Sequence, residues 1–509
     1  MPSTGPQDAA TTSSQHTTEN LPNTTVDWDP QLIARYSVNG PRYTSYPTAL
    51  EFNESIGTQE YRQALQAIPS DRTLSLYIHI PFCWHVCYYC ACNKVVTRDY
   101  RRVAAYLTAL MQEIDQVAAA LQGQTVTQIH FGGGTPTYLT AADRQLLMNK
   151  LRSAFNFASQ DNLEASIEVD PRTVKPEDLA ELYALGFNRL SLGVQDFNPE
   201  VQRAVNREQS FEQVAALVST AREVGFGSLS FDLIYGLPRQ TQASFTKTLE
   251  QVIALRPERV SVFNYAHLPH RFAPQRRIND AELPSGAEKL SILQNTIAMM
   301  QQAGYQYIGM DHFALPSDEL ARAQREGELH RNFQGYTTQG NCDLIGLGVS
   351  SISALNAHSH HASLYAQNHR EIASYQSATA ADGLATWRGA GLNRDDEIAK
   401  AAIFSLICNF ELAIEPFSKR WGIDFWQYFS GAKATLEQQI KDGLLTCDAD
   451  HLQVTARGRL FVRNICMAFD RYFFGDSLLA SASGGTTAIA VSQVTESEPG
   501  LKRKYSSAL

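Results

Sequence analysis

The chain lacks any run of about eighteen apolar residues, the length that a membrane-spanning helix requires, so we expect no membrane span. Residues 1–25 lack both basic side chains and the apolar segment of a secretion signal, which favours a cytoplasmic protein. Positive charge is also in deficit, since 43 Lys and Arg stand against 52 Asp and Glu and the net charge is −9. This balance argues against nucleic-acid binding but leaves room for a locally basic site and an anionic substrate.

Cysteine is scarce as well, with 8 in 509 residues, so a disulfide framework is not expected. Half of these cysteines fall within residues 83–92 (CWHVCYYCAC), with the spacing C-x3-C-x-(aromatic)-C followed by one more cysteine. Three thiolates on a short loop can hold three irons of a [4Fe–4S] cube and leave the fourth iron open to a chelating small molecule. Zinc is the alternative, although zinc sites favour two separated C-x2-C pairs and no second pair exists here.

Strand-like and helical patterns alternate from about residue 74 to residue 315, which predicts an α/β fold. The predicted strands are 74–80, 127–132, 164–170, 189–195, 228–235 and 259–265, and a further strand-like run lies at 305–310. Such alternation implies parallel strands with right-handed crossovers. Six units predict an incomplete (β/α)6 TIM-type barrel, whose open side would admit a large substrate and whose chemistry would lie just after the strands.

We expect five segments along the chain. They are a disordered tail (1–27), an N-terminal arm (28–73), the barrel with its substrate region (74–390), a mostly helical C-terminal domain (391–475) and a second disordered tail (476–509). The tails are rich in Ser, Thr and other small or polar residues and have too little apolar content to order themselves.

A glycine run at residues 132–137 (GGGTPT) follows the second predicted strand. Residues without a Cβ let the backbone approach a ligand closely. Alone the run would be an ordinary strand-to-helix turn. Combined with the cysteine loop one strand earlier, it resembles the radical S-adenosylmethionine (SAM) superfamily, in which such a strand end contacts the methionine part of SAM.

Three charged residues lie on or after later strands. The Glu168 carboxylate can hold the SAM ammonium by a charge-assisted hydrogen bond, and Arg207 can fork onto a carboxylate. Asp232 lies within a strand, where a buried carboxylate needs a partner such as a ribose hydroxyl. Each also has an ordinary structural explanation, and we interpret the single histidines such as His130 and His312 as core or rim residues.

More specific runs extend the resemblance over residues 30 to 475, to the oxygen-independent coproporphyrinogen III oxidase family. The runs are 83–92, 132–137, 193–197 (GVQDF), 232–238 (DLIYGLP), 263–269 (FNYAHLP), 309–313 (GMDHF) and 331–338 (RNFQGYTT). Cys92 and the last run separate this family from the related haem-carrier proteins, which usually lack both.

The resemblance implies that Cys83, Cys87 and Cys90 ligate the cluster and that Cys92 is needed without being a ligand. Tyr89 stands where the family often has Phe. The family binds two SAM molecules, and its SAM contacts correspond here to Tyr77, Gly133, Gly134, Thr135, Glu168, Gln195, Arg207, Asp232, Ala266 and Ile352. The polar stretch at residues 358–361, near Ile352, departs from the family pattern, and we interpret it as a loop.

The family's reaction is the anaerobic oxidative decarboxylation of two propionate side chains of coproporphyrinogen III to vinyl groups, giving protoporphyrinogen IX in haem biosynthesis. The resemblance therefore implies a low-potential electron donor such as flavodoxin or ferredoxin, and we expect a monomer. Arg42, Arg331 or Arg207 would supply positive charge to the substrate carboxylates, and the sequence does not choose among them. A haem carrier and a zinc-dependent structural protein remain as alternatives.

Overall fold

The structure is a computed structural model that describes residues 26–358 and 361–474. Most of the predicted N-terminal tail, all of the predicted C-terminal tail and two residues of the 358–361 loop lie outside the described residues. In the described part of the chain, no helix is both long and apolar enough to span a bilayer.

The arm that precedes the barrel contributes two short helices, α1 (Pro30–Tyr36) and α2 (Thr58–Gln66). Asp29 begins α1, because its carboxylate accepts hydrogen bonds from the backbone N–H groups of Gln31 and Leu32. Between the helices, the side chains of Tyr43 and Tyr46 are completely buried. The arm is therefore an integral layer of the molecule.

Next come the elements of the barrel. In chain order they are β1 (Thr73–Ile80), β2 (Phe82–Cys83), β3 (Val95–Val96), α3 (Arg101–Ala120), β4 (Thr125–Gly133), α4 (Ala141–Ala154), β5 (Asn156–Phe157), β6 (Glu164–Val169), α5 (Pro176–Ala184), β7 (Arg189–Gln195), α6 (Pro199–Ala204), α7 (Phe211–Val224), β8 (Ser228–Tyr235), α8 (Gln242–Leu255) and β9 (Arg259–Asn264). Local signals set several of these bounds. For example, Ser210 caps the start of α7, and Gly225 ends it with a φ of 112°.

The strands β1, β4, β6, β7, β8 and β9 pair in parallel in this order, as the six predicted units require. The predicted α/β fold with an incomplete parallel barrel is confirmed. Beyond β9 the chain forms α9 (Gly286–Gln302), β10 (Gln306–Gly309), β11 (His312–Ala314) and α10 (Glu319–Glu326). The run predicted at 305–310 is thus β10, and it forms a hairpin with β11 because the connection is too short for a parallel crossover.

A second extension grows from the other side of β1. It consists of β12 (His330–Asn332), β13 (Gly335–Thr337), β14 (Asp343–Leu347), β15 (Ile352–Leu355), β16 (Leu364–Asn368), α11 (Ile372–Asp382) and β17 (Thr386–Gly391). β14 pairs in parallel with β1, and β15, β16 and β17 follow as antiparallel strands, while β12 and β13 form a separate hairpin. In the described residues the end strands β10 and β17 do not pair, so the sheet stays open.

The C-terminal region is mostly helical, as predicted. Its elements are α12 (Arg394–Asn409), β18 (Glu411–Ala413), α13 (Ile414–Trp421), α14 (Phe425–Tyr428), α15 (Lys433–Lys441), β19 (Leu445–Cys447), β20 (His451–Val454), α16 (Val462–Met467) and α17 (Arg471–Phe474). One hydrophobic core runs from Leu32 in the arm through the barrel to Phe473. The five segment boundaries given above stay predictions.

Candidate active site

The cysteine loop lies at the carboxyl end of β1, where Pro81 stops the strand and β2 begins. β2 pairs with β3 on the far side of the loop, which places Cys83 beside Val96. The middle of the loop is held from across the barrel, because the N–H of Tyr88 donates to the carbonyl of Val205 at 2.9 Å. The loop is therefore fixed at both ends and in the middle.

The three candidate iron ligands have different surroundings. Cys83 and Cys87 are buried, whereas Cys90 is partly exposed. Burial raises the pKa of the Cys83 thiol to about 12, although the Thr135 hydroxyl, 3.5 Å from its sulfur, opposes the shift. Because iron binds the thiolate, loading a metal at Cys83 must release a proton.

The thiols of Cys90 and Cys92 shift each other's pKa in opposite directions. Hydrogen bonding by the Cys92 thiol lowers the pKa of Cys90 to about 6, and the nearby Lys94 ammonium adds to this effect. The same contact raises the pKa of Cys92. The lowered pKa favours the thiolate form of Cys90 that a metal binds, and the division of roles between Cys90 and Cys92 stays a prediction.

The glycine run packs directly against the cysteine loop. The N–H of Gly134 donates to the carbonyl of Ile80 at 2.8 Å, and the N–H of Thr135 donates to that of Phe82 at 2.9 Å. A Cβ on Gly134 would come within 2.7 Å of the Pro81 backbone, and Gly133 has a φ of 114° with the His79 ring as its neighbour. Glycine is required here by contact with the loop as well as by access to a ligand.

Glu168 stands beside the glycine run. Its Oε2 accepts a hydrogen bond from the N–H of Gly133 at 3.1 Å, and its Oε1 lies 3.3 Å from Nε2 of His130. Burial opposes ionisation, but His130 and the Gly133 N–H outweigh it and hold the pKa of Glu168 below its usual value. The carboxylate is therefore charged at neutral pH and suited to an ammonium group.

Asp232 lies across the cavity on β8. Burial, followed by the negative charge of Glu168, raises its pKa to about 6. The Ser191 hydroxyl donates to its Oδ2 at 3.1 Å, which leaves acceptor capacity for a ligand hydroxyl.

Arg207 is buried and already engaged. It donates to Oδ2 of Asp170 at 3.2 Å, to the sulfur of Cys87 at 3.4 Å and to the carbonyl of Gly193 at 2.5 Å. Its Nε has no hydrogen-bond partner among the described residues. Three of its five N–H groups are therefore engaged, which leaves the Nε N–H and one Nη2 N–H for the predicted two-pronged contact with a SAM carboxylate.

Most of the predicted site residues line one cavity of about 430 Å³. They are Cys83, Cys87, Cys90, Cys92, Tyr89, Gly133, Gly134, Thr135, Glu168, Gln195, Arg207 and Asp232. Gln195 ends β7 with a φ of 66°, at an irregularity in the pairing with β8. The cavity lies within the barrel and reaches from the first residues of β6, β7, β8 and β9 to the strand ends that carry the cysteine loop.

Tyr77, Ala266 and Ile352 are not among the residues that line the cavity. The Tyr77 ring stacks on His130 at 5.9 Å, so it supports a residue that lines the cavity. Ala266 is linked to Tyr89, because Nε2 of Gln275 donates to both of their carbonyls. Ile352 packs in a small cluster with Phe52 and Tyr365, and its contact with SAM stays a prediction.

The sequence reasoning missed two residues that the structure brings to the site. Arg172 donates to the sulfur of Cys87 at 3.3 Å and to Asp170 at 2.6 Å. Burial opposes ionisation of Asp170, but the charges of Arg207 and Arg172 outweigh burial and lower the pKa of Asp170 to about 2. Gln334 lines the cavity and its Nε2 has no partner among the described residues; its place in the RNFQGYTT run was the only available signal.

These surroundings fit an iron–sulfur cluster. Arg172 and Arg207 direct N–H groups at one candidate ligand sulfur, and such donors stabilise negative charge there. In the described residues no three His, Cys, Asp or Glu side chains are grouped closely enough for a single metal ion. A cube requires only one thiolate on each liganded iron.

Comparisons with known proteins agree with this geometry. A family model described as the Radical SAM superfamily matches residues 77–252, and the HemN C-terminal domain matches residues 392–461. The oxygen-independent coproporphyrinogen III oxidase of Escherichia coli (strain K12) is 56% identical over 447 residues, 88% of this chain and 96% of that protein. The protein of the same name from Pseudomonas aeruginosa is 52% identical over 450 residues, with the same coverage.

A solved structure of coproporphyrinogen III oxidase (HemN) from Escherichia coli, described as a radical SAM enzyme, has a TM-score of 0.83 to this chain. It is 54% identical and covers 88% of this chain and 100% of its own. The predicted radical SAM class is confirmed, and with it the [4Fe–4S] cluster and SAM as cofactors. The chain belongs to the oxygen-independent coproporphyrinogen III oxidase family of the radical SAM superfamily.

Proposed function

We propose that this protein converts coproporphyrinogen III to protoporphyrinogen IX without oxygen, by removing the carboxyl groups of two propionate side chains. At each side chain one hydrogen atom leaves the β-carbon, carbon dioxide leaves, one electron passes to an acceptor and a vinyl group remains. The observation that carries the proposal is the convergence of the cysteine loop, Glu168 and Asp232 on one cavity at the strand ends.

The cluster and SAM, when bound, supply a carbon radical that abstracts hydrogen. Cys83, Cys87 and Cys90 hold the cluster in this proposal, and Arg172 and Arg207 stabilise the charge on the Cys87 sulfur. Cys92 is essential without being a ligand in this proposal, and its place on the cavity wall together with Cys90 supports this role. The barrel walls exclude water from the radical.

Two SAM molecules share the site in this proposal. Glu168 binds a SAM ammonium and Asp232 a ribose hydroxyl, with Gly133, Gly134 and Thr135 along the methionine part. Their places on the cavity wall support this assignment. Tyr77 acts through His130, on which its ring stacks, and Ala266 acts through Gln275, which links it to Tyr89. Gln195, Arg207 and Ile352 complete the proposed set.

An acidic, low-potential electron donor such as flavodoxin or ferredoxin is the proposed partner. The surface beside the cysteine loop supports this. Trp84 and Val96 are 38% and 42% exposed, and the basic residues Arg98 and Arg102 are exposed next to them. Exposed apolar groups within a basic rim suit transient docking of an acidic protein. We also propose that the protein acts as a monomer in the reducing cytoplasm.

The test is an anaerobic assay of reconstituted protein with SAM, a reductant and coproporphyrinogen III. We expect a product that has lost two carboxyl groups, and we expect none when SAM is omitted. Haem binding without such a product would instead support the carrier alternative.

A further inference from the structure

Three arginines meet where the arm, the barrel and the C-terminal region join. Arg42 comes from the arm, Arg331 from β12 and Arg463 from α16. One of them is paired with a carboxylate, since Oδ2 of Asp311 lies 3.2 Å from Nη1 of Arg42. The neighbourhood therefore carries an excess of positive charge inside a protein whose net charge is −9.

Arg331 is 91% buried, yet its Nε and Nη1 have no hydrogen-bond partner among the described residues. Its guanidinium stands 4.6 Å from the centre of the Tyr336 ring, to which it is paired across the β12–β13 hairpin. A buried guanidinium with unused donors is costly unless a ligand supplies the acceptors.

Arg463 holds the neighbouring arm in place. Its Nε donates to the carbonyl of Pro41 at 2.8 Å, and its Nη2 donates to that of Gly40. Burial, followed by repulsion from Arg42, lowers its pKa to about 9, and Arg331 contributes to the same repulsion. The three positive charges are thus close enough to interact, and an anion among them would relieve the repulsion.

The cluster adjoins the cavity described above. His312 and Tyr336 line that cavity, and their rings are 5.1 Å apart. Nδ1 of His312 has no hydrogen-bond partner in the part of the chain that the structure describes, and burial, followed by the charge of Arg331, lowers the pKa of His312 to about 3. The imidazole is therefore neutral and leaves the arginines as the cationic groups on this side.

We propose that Arg331 and Arg42, positioned by Arg463, form a carboxylate subsite that binds a propionate of the tetrapyrrole while another propionate reacts. The inference rests on the proposed function and names the residues that hold its substrate. Guanidinium groups bind carboxylates through paired N–H donors, and Arg331 offers two such donors. SAM also carries a carboxylate, so a test must separate the two sources.

The test measures binding of coproporphyrin III, the air-stable oxidised form of the substrate, by fluorescence to the reconstituted holoenzyme. In Arg331→Gln and Arg42→Gln, loss of a charge-assisted contact should weaken binding about tenfold or more, whereas SAM affinity stays unchanged. The tetramethyl ester of coproporphyrin III, in which the carboxylates are blocked, should bind to wild type and to both variants with equal affinity. Arg322→Gln, on the exposed face of α10, is the matched control and should bind as wild type does.

Thermal unfolding is the control that shows whether the variants fold correctly. Because Nε and Nη1 of Arg331 have no hydrogen-bond partner among the described residues, Arg331→Gln should keep the melting temperature of wild type, whereas a structural arginine would lower it. Unchanged coproporphyrin affinity in both variants, or a loss confined to SAM, would overturn the subsite. If wild type itself forms no vinyl product, the proposed function fails; if wild type is active and the variants bind porphyrin normally, only the subsite fails.

Discussion

Single residues divide the work at the cysteine loop. The loop puts four sulfurs within ten positions, but their environments differ. The pKa of Cys90 is lowered, whereas the pKa of Cys92 is raised. Spacing in the sequence predicts which cysteines can reach a cluster, whereas the environment of each sulfur depends on the folded chain around it.

The first prediction concerns these cysteines. Cys83→Ala, Cys87→Ala and Cys90→Ala should each abolish cluster assembly, because a cube with two protein thiolates is poorly held. Cys92→Ala should keep most of the iron and lose turnover. Iron and acid-labile sulfide analysis of anaerobically purified protein measures this, with Cys447→Ala, an exposed cysteine in the C-terminal region, as control. Complete loss of iron in Cys92→Ala would mean that the division of roles is wrong.

The second prediction concerns Glu168. Glu168→Gln keeps the shape of the side chain but removes its charge, so SAM affinity should fall about tenfold to a hundredfold, and the cluster should remain. Equilibrium binding of SAM to the reconstituted variant is the measurement. Glu177→Gln, on the exposed face of α5 and not among the residues that line the cavity, is the matched control and should bind SAM normally. Equal SAM affinity in wild type and Glu168→Gln would remove Glu168 from the SAM site.

At the scale of elements, the docking face proposed for the electron donor consists of the β2–β3 pair and the start of α3. The double substitution Arg98→Glu and Arg102→Glu should raise the KM for reduced flavodoxin several-fold, because the charge on the rim of the docking face changes from positive to negative. Turnover with dithionite should not change. The control is Arg322→Glu on α10. An unaltered KM for flavodoxin in the double variant would place the docking face elsewhere.

The contact between α3 and the chain after β14 depends on one buried acid. Glu113 accepts hydrogen bonds from Tyr375 at 2.6 Å, from the N–H of Gly348 at 2.7 Å and from Asn368. Burial nevertheless raises its pKa from 4.5 to about 7. An acid whose pKa is raised on folding stabilises the fold fully below its unfolded pKa, and this contribution is lost as pH rises to its folded pKa.

The fourth prediction follows from that sign. Between pH 5 and pH 8 the stability of the apo-protein should decrease, and Glu113 alone should contribute a loss of roughly 2 to 3 kcal/mol. In Glu113→Gln the melting temperature should decrease less over the same range. Melting curves of both proteins at several pH values test this. Parallel pH profiles would show that Glu113 does not titrate in this window.

For the whole molecule, the barrel could be predicted from sequence because its signals are local. Apolar runs such as 228–235 coincide with β8, and the cysteine loop and glycine run are contiguous. The partners of those residues could not be predicted in this way. Arg172 and Cys87 are 85 positions apart, and Arg42 and Asp311 are 269 apart, so only the folded chain brings them together.

The same reason explains the position of Ile352. Ile352 follows β14 along the chain, and the β14–β15 hairpin places it in the cluster with Phe52 and Tyr365. The sequence alone does not predict these contacts. A motif assigns a residue to a neighbourhood along the chain, whereas the register of the strands decides which side of the sheet it occupies.

The central claim is that a radical formed in this cavity takes hydrogen from the propionate β-carbon. The most direct measurement uses coproporphyrinogen III deuterated at those carbons, with the anaerobically reconstituted protein, SAM and a reductant. The account predicts one deuterium in each 5′-deoxyadenosine formed productively, together with carbon dioxide and vinyl product. Vinyl product accompanied by 5′-deoxyadenosine free of deuterium would contradict it.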